Sequence, residues 1–171
     1  MRVIKLALLS FIILFLLITG ISLFIPSHIR ISKAINIKAE KDSVMAQLKY
    51  PANWKNWYPG LDTAKLLYEA GEIRGVIFDK DSFHPAYIRI TKQEPDEITA
   101  QFITPKMRPV LNGWKTFNYS TTDSITLQWY MDFHLRWYPW EKFGSLLLES
   151  SYGAKMEKGL TNLRTLVQSR Q

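Results

Sequence analysis

The chain has 171 residues, a formal net charge of +7, 47% hydrophobic residues and no cysteine. That length holds an apolar N-terminal run and one domain of about 145 residues, enough to bury a core. The lack of cysteine excludes disulfides, Cys-ligated zinc, a thiol nucleophile and a lipid-modified N-terminal cysteine. The scattered basic residues form no Lys/Arg run of nucleic-acid type and suit a solvated surface mildly attracted to anionic lipid.

From Leu6 to Ile25 no residue is charged, and at 1.5 Å of rise per residue this run spans about 30 Å, the hydrocarbon thickness of a bilayer. Residues 1–26 are therefore read as a retained membrane anchor, with a signal peptide as the alternative. Thr19, Gly20 and Ser22 make no A-x-A cleavage site, and the run is longer than a usual signal core. Arg30, Lys33, Lys38 and Lys41 outnumber Arg2 and Lys5, which by the positive-inside rule favours a cytoplasmic domain. A short basic head before an apolar run is, however, how an export signal begins. A periplasmic or extracytoplasmic domain is expected, and a cytoplasmic one stays open.

Residues 27–171 form the second unit. Ile29, Ile31, Ile35 and Ile37 alternate with Arg30, Ser32, Asn36 and Lys38, the period of a strand with one buried face. Asp42 or Ser43 is expected to cap a short helix carrying Val44 and Leu48, which Pro51 ends. In Trp54-Lys55-Asn56-Trp57 the indoles are three apart and share one side of a helical turn.

Between Leu61 and Arg136 turn chemistry recurs at Ala70-Gly71, Asp79 to Ser82, Glu94 to Glu97, Pro105 to Pro109 and Thr121 to Asp123, which predicts about six strands in antiparallel hairpins. The clearest runs from Ile125 to Trp137, with Leu127, Trp129, Met131, Phe133 and Leu135 on one face and Gln128, Tyr130, Asp132 and His134 on the other. Such a length predicts a strongly curved sheet.

The last segment, about Ser151 to Ser169, has the pattern of one amphipathic helix: Leu148, Tyr152, Met156, Leu160, Leu163 and Val167 stack into an apolar stripe. Gly153 and Gly159 border it, although each costs about 1 kcal/mol relative to alanine inside a helix, so a sheet or a bound molecule is expected to approach the backbone there. Glu149 projects onto the same stripe. Either the helix begins after it, near Ser150 or Ser151, or a carboxylate faces the interior as a candidate acid or ligand anchor. The order strand, two short helices, sheet and long helix predicts an α+β fold, an antiparallel sheet with its helices on one face.

This order, with Trp54-Lys55-Asn56-Trp57 after the first strand and Gly159-Leu160-Thr161-Asn162-Leu163-Arg164 in the last helix, resembles the SRPBCC (START-like, polyketide cyclase/dehydrase and lipid transport) superfamily over about residues 29–168. It looks most like the bacterial members that carry such a domain after one membrane helix. The resemblance implies a helix-grip fold, a curved sheet of about seven strands around the long C-terminal helix with an apolar cavity between them. It also implies binding of lipids, sterols, polyketides or other hydrophobic molecules, with catalysis in a minority of members.

No P-loop, G-x-G-x-x-G, G-x-S-x-G or H-E-x-x-H motif is present, and His28, His84 and His134 are far apart, so neither a metal site nor a cofactor is expected. Asp132 and His134 share the polar strand face, where a solvated pair is expected. Asn118-Tyr119-Ser120 matches a glycosylation acceptor, a pattern that arises easily by chance. Trp54, Trp57, Phe102, Phe117, Trp129, Met131, Phe133, Tyr152, Gly153 and Met156 are the candidates to line a ligand pocket, and packing as plain core is the competing reading for each. The expected function is a membrane-tethered domain that binds a hydrophobic small molecule or lipid. The alternatives are a polyketide cyclase or aromatase, with Glu149 as the weak catalytic candidate, and a closed-core sensing or interaction domain.

Overall fold

A computed structural model describes residues 2–78, 85–105, 107–118 and 124–169. The apolar N-terminal run forms α1 (Arg2–Ser22), a helix long and apolar enough to cross a membrane, with none of its most apolar stretch buried against the rest of the chain. There follow β1 (His28–Ile37), α2 (Lys41–Lys49), α3 (Pro51–Trp54), β2 (Lys65–Glu69), β3 (Glu72–Ile77), β4 (Tyr87–Gln93), β5 (Glu97–Thr104), β6 (Met107–Asn118) and β7 (Ile125–His134). The chain ends in α4 (Pro139–Gly144), a 3-10 turn (Ser145–Leu147), a π-turn (Glu149–Gly153) and α5 (Ala154–Gln168).

The seven strands make one curved antiparallel sheet in the order β1-β7-β6-β5-β4-β3-β2. Short connections pair neighbours in sequence, as at Ala70-Gly71, where both residues take positive φ (52° and 84°) as a tight hairpin turn requires. The expected turns at Asp79 to Ser82 and Thr121 to Asp123 lie outside the described residues, as does His84. The turn expected over Pro105 to Pro109 is tighter than its prolines suggest, because Thr104 already faces Met107 and Pro109 sits inside β6, where the register with β5 shifts. Among the described residues only β1 pairs with a strand distant in sequence, running antiparallel to β7 from His28↔His134 to Ile37↔Ile125.

Alternation fills the concave face. Ile31 and Ile37 from β1, Val110 and Trp114 from β6, and Leu127, Trp129, Met131 and Phe133 from β7 meet Met156, Leu160, Leu163 and Val167 of α5 in one core. This is the helix-grip-like α+β arrangement. Trp54 and Trp57 plug one end of it, their indole N–H groups donating to the Leu48 and Gln47 carbonyls at 2.9 and 3.4 Å.

Three expectations need correction. The cap of α2 is Glu40, which makes no side-chain cap hydrogen bond, and Asp42 lies inside the first turn. β7 stops at His134, where β1 runs out of partner residues, so Leu135 and Trp137 are not strand positions and Trp137 is 59% exposed. The helical path starts at Pro139, well before Ser151, and reaches α5 through the π-turn.

Candidate functional site

Where α5 leaves the sheet, a cavity of about 160 Å³ remains, walled by Tyr58, Phe102, Trp129, Met131, Tyr152 and Met156. Alternation along β5 and β7 aims Phe102, Trp129 and Met131 inward, and the spacing of four in the last helix brings Tyr152 and Met156 to meet them. Phe102 stacks on Phe78 at 5.5 Å and stands edge-on to Tyr152 at 6.3 Å. The ionisable groups on this wall are Tyr58, Tyr152 and Lys155. Burial pushes both phenols above their ordinary range, an effect that the Asn112 amide partly offsets at Tyr58. They stay neutral hydroxyls near pH 7, suited to orienting a polar group rather than to taking a proton.

Asn112 itself is fully buried, and its Oδ1 accepts the Trp129 Nε1–H at 2.5 Å. An indole N–H can only donate, so the carbonyl side of the amide must face it. The Nδ2 donor, the group that acts on the Tyr58 hydroxyl, makes no hydrogen bond of ordinary geometry among the described residues, and the Trp114 indole N–H has no partner there.

Next to the inner cavity a larger cleft of about 620 Å³ runs between the start of β6, the end of β7 and α4. Met107, Val110, Phe133 and Leu148 supply its apolar walls, and Arg108, His134, Arg136 and Glu141 its polar ones. Tyr152 stands at the partition. Its ring lies 5.1 Å from that of Phe133, and its hydroxyl reaches the Met107 sulfur at 3.7 Å.

The structure thus gathers Phe102, Trp129, Met131, Tyr152 and Met156 around the inner cavity, and places Phe133 on the wall of the cleft. Trp54 and Trp57 are fully buried core residues packed on Trp114, at ring distances of 5.4 and 6.0 Å. Phe117 belongs to the other face of the sheet: Val110, Asn112, Trp114 and Thr116 take the inward positions of β6, and parity turns Phe117 outward beside Lys115. Tyr58, Pro59 and Gly60, which follow the second indole, complete the cavity wall. In the sequence these three carry no site signal, because a Pro-Gly pair signals only a turn.

Gly153 and Gly159 have different reasons to be glycine. A Cβ on Gly159 would come within 2.6 Å of the Trp129 ring, so the close approach expected there is by the sheet. A Cβ on Gly153 would instead meet the ends of Glu149 and Lys33, away from the cavity.

Glu149 follows neither expected reading. The helix neither starts after it nor turns its carboxylate inward. The π-turn adds a residue to the winding, which rotates everything upstream by about 100° from an unbroken α-helix. Glu149 is 60% exposed and pairs with Lys33 at 2.8 Å, as Glu157 does at the same distance. These two carboxylates hold the Lys33 ammonium above its ordinary range, with Glu149 the first cause.

The outer face of the sheet also differs from expectation. Asp132 is buried rather than solvated, and both its oxygens accept from Arg30 at 2.6 Å. His134 stacks on His28 at 4.6 Å instead of pairing with Asp132. The Arg30 guanidinium holds the Asp132 carboxyl below its ordinary range and lies over the Tyr130 ring at 4.7 Å. Among the described residues no group of three His, Asp or Glu side chains is placed to hold a metal ion.

Comparison with known proteins bears on the fold and the family. No curated protein matches the sequence. Among solved structures, the Zhui aromatase/cyclase from Streptomyces sp. R1128 aligns with a TM-score of 0.64 at 16% identity, over 84% of this chain and 95% of that one. A START superfamily protein from Mycobacterium smegmatis aligns with a TM-score of 0.61 at 14% identity, over 83% and 99%. The di-domain ARO/CYC StfQ from the steffimycin biosynthetic pathway aligns at 0.65 and 10% identity, over 84% of this chain and 51% of that one. At such identities these likenesses establish the fold alone. The sequence of residues 28–168, which takes in every strand and the last helix, matches the polyketide cyclase / dehydrase and lipid transport family, and the chain belongs to that family.

Proposed function

We propose that this chain is a membrane-tethered domain that binds a hydrophobic small molecule or lipid between its sheet and its C-terminal helix. The observation that carries this reading is the aromatic cavity behind Tyr152 and its contact, through that residue, with the 620 Å³ cleft. The inner cavity alone is smaller than the roughly 300–1,000 Å³ usual for ligand pockets, whereas the cleft falls within that range. An elongated ligand with its tail past Tyr152 and its body in the cleft fits the two spaces better than a compact one. Arg108, solvent-exposed on the cleft wall, suits an acidic head group. In this reading α1 is the tether, and the short basic head at Arg2 and Lys5 suits a domain on the extracytoplasmic side.

A cyclase would need an acid or base at the cavity. Glu149, the carboxylate considered for that role, points to solvent and Lys33 and does not line the cavity. Native mass spectrometry of the full chain, extracted from membranes in detergent, tests both parts. The expected result is a mass that includes α1 and carries an organic-extractable adduct. A ligand-free chain that also takes up no fluorescent fatty acid would overturn the binding reading, and a mass lacking residues 1–22 would overturn the tether.

A further inference from the structure

The segment between β7 and the π-turn is amphipathic the wrong way round for a helix in water. Every third residue faces out, and these are Trp137, Trp140, Phe143 and Leu146, at 59%, 64%, 38% and 67% exposure, with Leu147 beside them. The inward positions are Pro139, Lys142 and Ser145, all buried. Burying a lysine while two tryptophans and two leucines stay in solvent is unfavourable by any hydrophobicity scale. A second medium on the outer side removes that contradiction.

The position of this face says what the medium is. The Lys142 ammonium donates to the Ile25 carbonyl at 2.6 Å and to the Ser27 hydroxyl at 2.7 Å, which fixes α4 against the end of the apolar run. α4 also contacts α1 directly, and Leu23 and Phe24 are exposed between the two. Tyr138 stacks on Trp140 at 4.8 Å with Arg136 over its ring at 5.7 Å. Tryptophan and tyrosine with a nearby arginine are the side chains that settle at the headgroup level of a bilayer.

We infer that Trp137 to Leu147 is a membrane-docking face that lies in the interface of the bilayer α1 enters, with Trp137, Trp140 and Leu146 immersed and Arg136 at the anionic head groups. The inference rests on the tether reading and adds an orientation to it. Glu141, Gly144, Ser145 and Leu148 of this segment also wall the 620 Å³ cleft. One wall of the cleft is therefore the element that lies on the lipid, and a hydrophobic ligand reaches the cleft from the bilayer without crossing water.

Tryptophan quenching tests this on the full chain in vesicles of equal parts phosphatidylcholine and phosphatidylglycerol, with plain or dibrominated acyl chains. Of the six tryptophans, Trp54, Trp57, Trp114 and Trp129 are fully buried and Trp137 and Trp140 are exposed. The expected result is loss, in brominated vesicles, of the share of emission that these two indoles contribute. The double substitution Trp137→Phe and Trp140→Phe should abolish that loss, and Leu146→Asp with Leu147→Asp should reduce it while circular dichroism stays unchanged. Equal emission in plain and brominated vesicles, or quenching that the removal of both indoles leaves undiminished, overturns the docking face. Flotation separates the two readings: a chain that floats with the vesicles but is unquenched sinks this inference alone, and one that does not float sinks the tether with it.

Discussion

At the scale of single residues, the two glycines of the last helix show how one sequence feature conceals two causes. Gly159 is glycine because the Trp129 indole occupies the space of its Cβ. Gly159→Ala should therefore destabilise the domain by about 1–3 kcal/mol through overpacking. Gly153 faces the flexible ends of Glu149 and Lys33, so Gly153→Ala should be neutral or stabilising by up to about 1 kcal/mol as helix propensity improves. Urea midpoints for the two variants check the contrast, and equal losses would refute it. Asp132 contributes a pH dependence in the acid range. Its carboxyl is held low in the folded chain by Arg30, so its contribution is complete above the unfolded value near about pH 4 and fades as pH falls through the folded value. Asp132→Asn should cost about 1–3 kcal/mol at neutral pH. Its deficit against the parent should shrink on acidification below about pH 4 and stay constant above about pH 6. A deficit that grows toward acid would contradict the pairing.

At the scale of elements, Tyr152 is the residue whose removal joins two spaces. Tyr152→Ala should open the inner cavity into the cleft and strengthen uptake of a long fluorescent fatty acid relative to a short one. Tyr152→Phe, which keeps the ring against Phe133 and loses only the reach to Met107, should leave the preference unchanged. Identical chain-length profiles for parent and Tyr152→Ala would show that the partition is not a barrier. The elements themselves were readable in the sequence where period and environment agree. The inward face of β7 from Ile125 to Phe133 and the stripe from Met156 to Val167 each follow one period, and each packs as read. Phe117 was misread although its parity against Trp114 was available. Glu149 was not readable, because a single π-turn is too short to leave a repeat in the sequence and shifts every projection made through it. The burial of Asp132 depends on the register that sets Arg30 opposite it, and a single strand does not carry that information. The docking face escaped for a related reason: its repeat is three, and its apolar side is the one facing out.

At the scale of the whole molecule, the parts meet at Lys142. A buried ammonium holds the Ile25 carbonyl and the Ser27 hydroxyl, so the angle at which the domain leaves α1 is set by hydrogen bonds rather than by a slack linker. Lys142→Met keeps the buried aliphatic stem and removes the donors. It should cost about 1.5–3 kcal/mol, the worth of hydrogen bonds from a charged group, and should speed proteolysis between Leu23 and Ser27 in the otherwise folded chain. Unchanged cleavage there would mean that the junction is held by other contacts.

The pairing of β1 with β7 sets the order in which the domain is made. During synthesis β1 emerges first, while the strand it pairs with begins at Ile125 and follows the whole remainder of the sheet. The hairpins from β2 to β6 need only neighbours to form, but β1 has no ladder to join until β7 arrives. Folding should accordingly be slow to complete, limited by one long-range closure. A chain cut short before Ile125 would leave β1 unpaired and β6 with a bare edge, a template for sticking to other chains. Until Ile125 and the residues after it have emerged, β1 and β6 therefore both wait with one edge open.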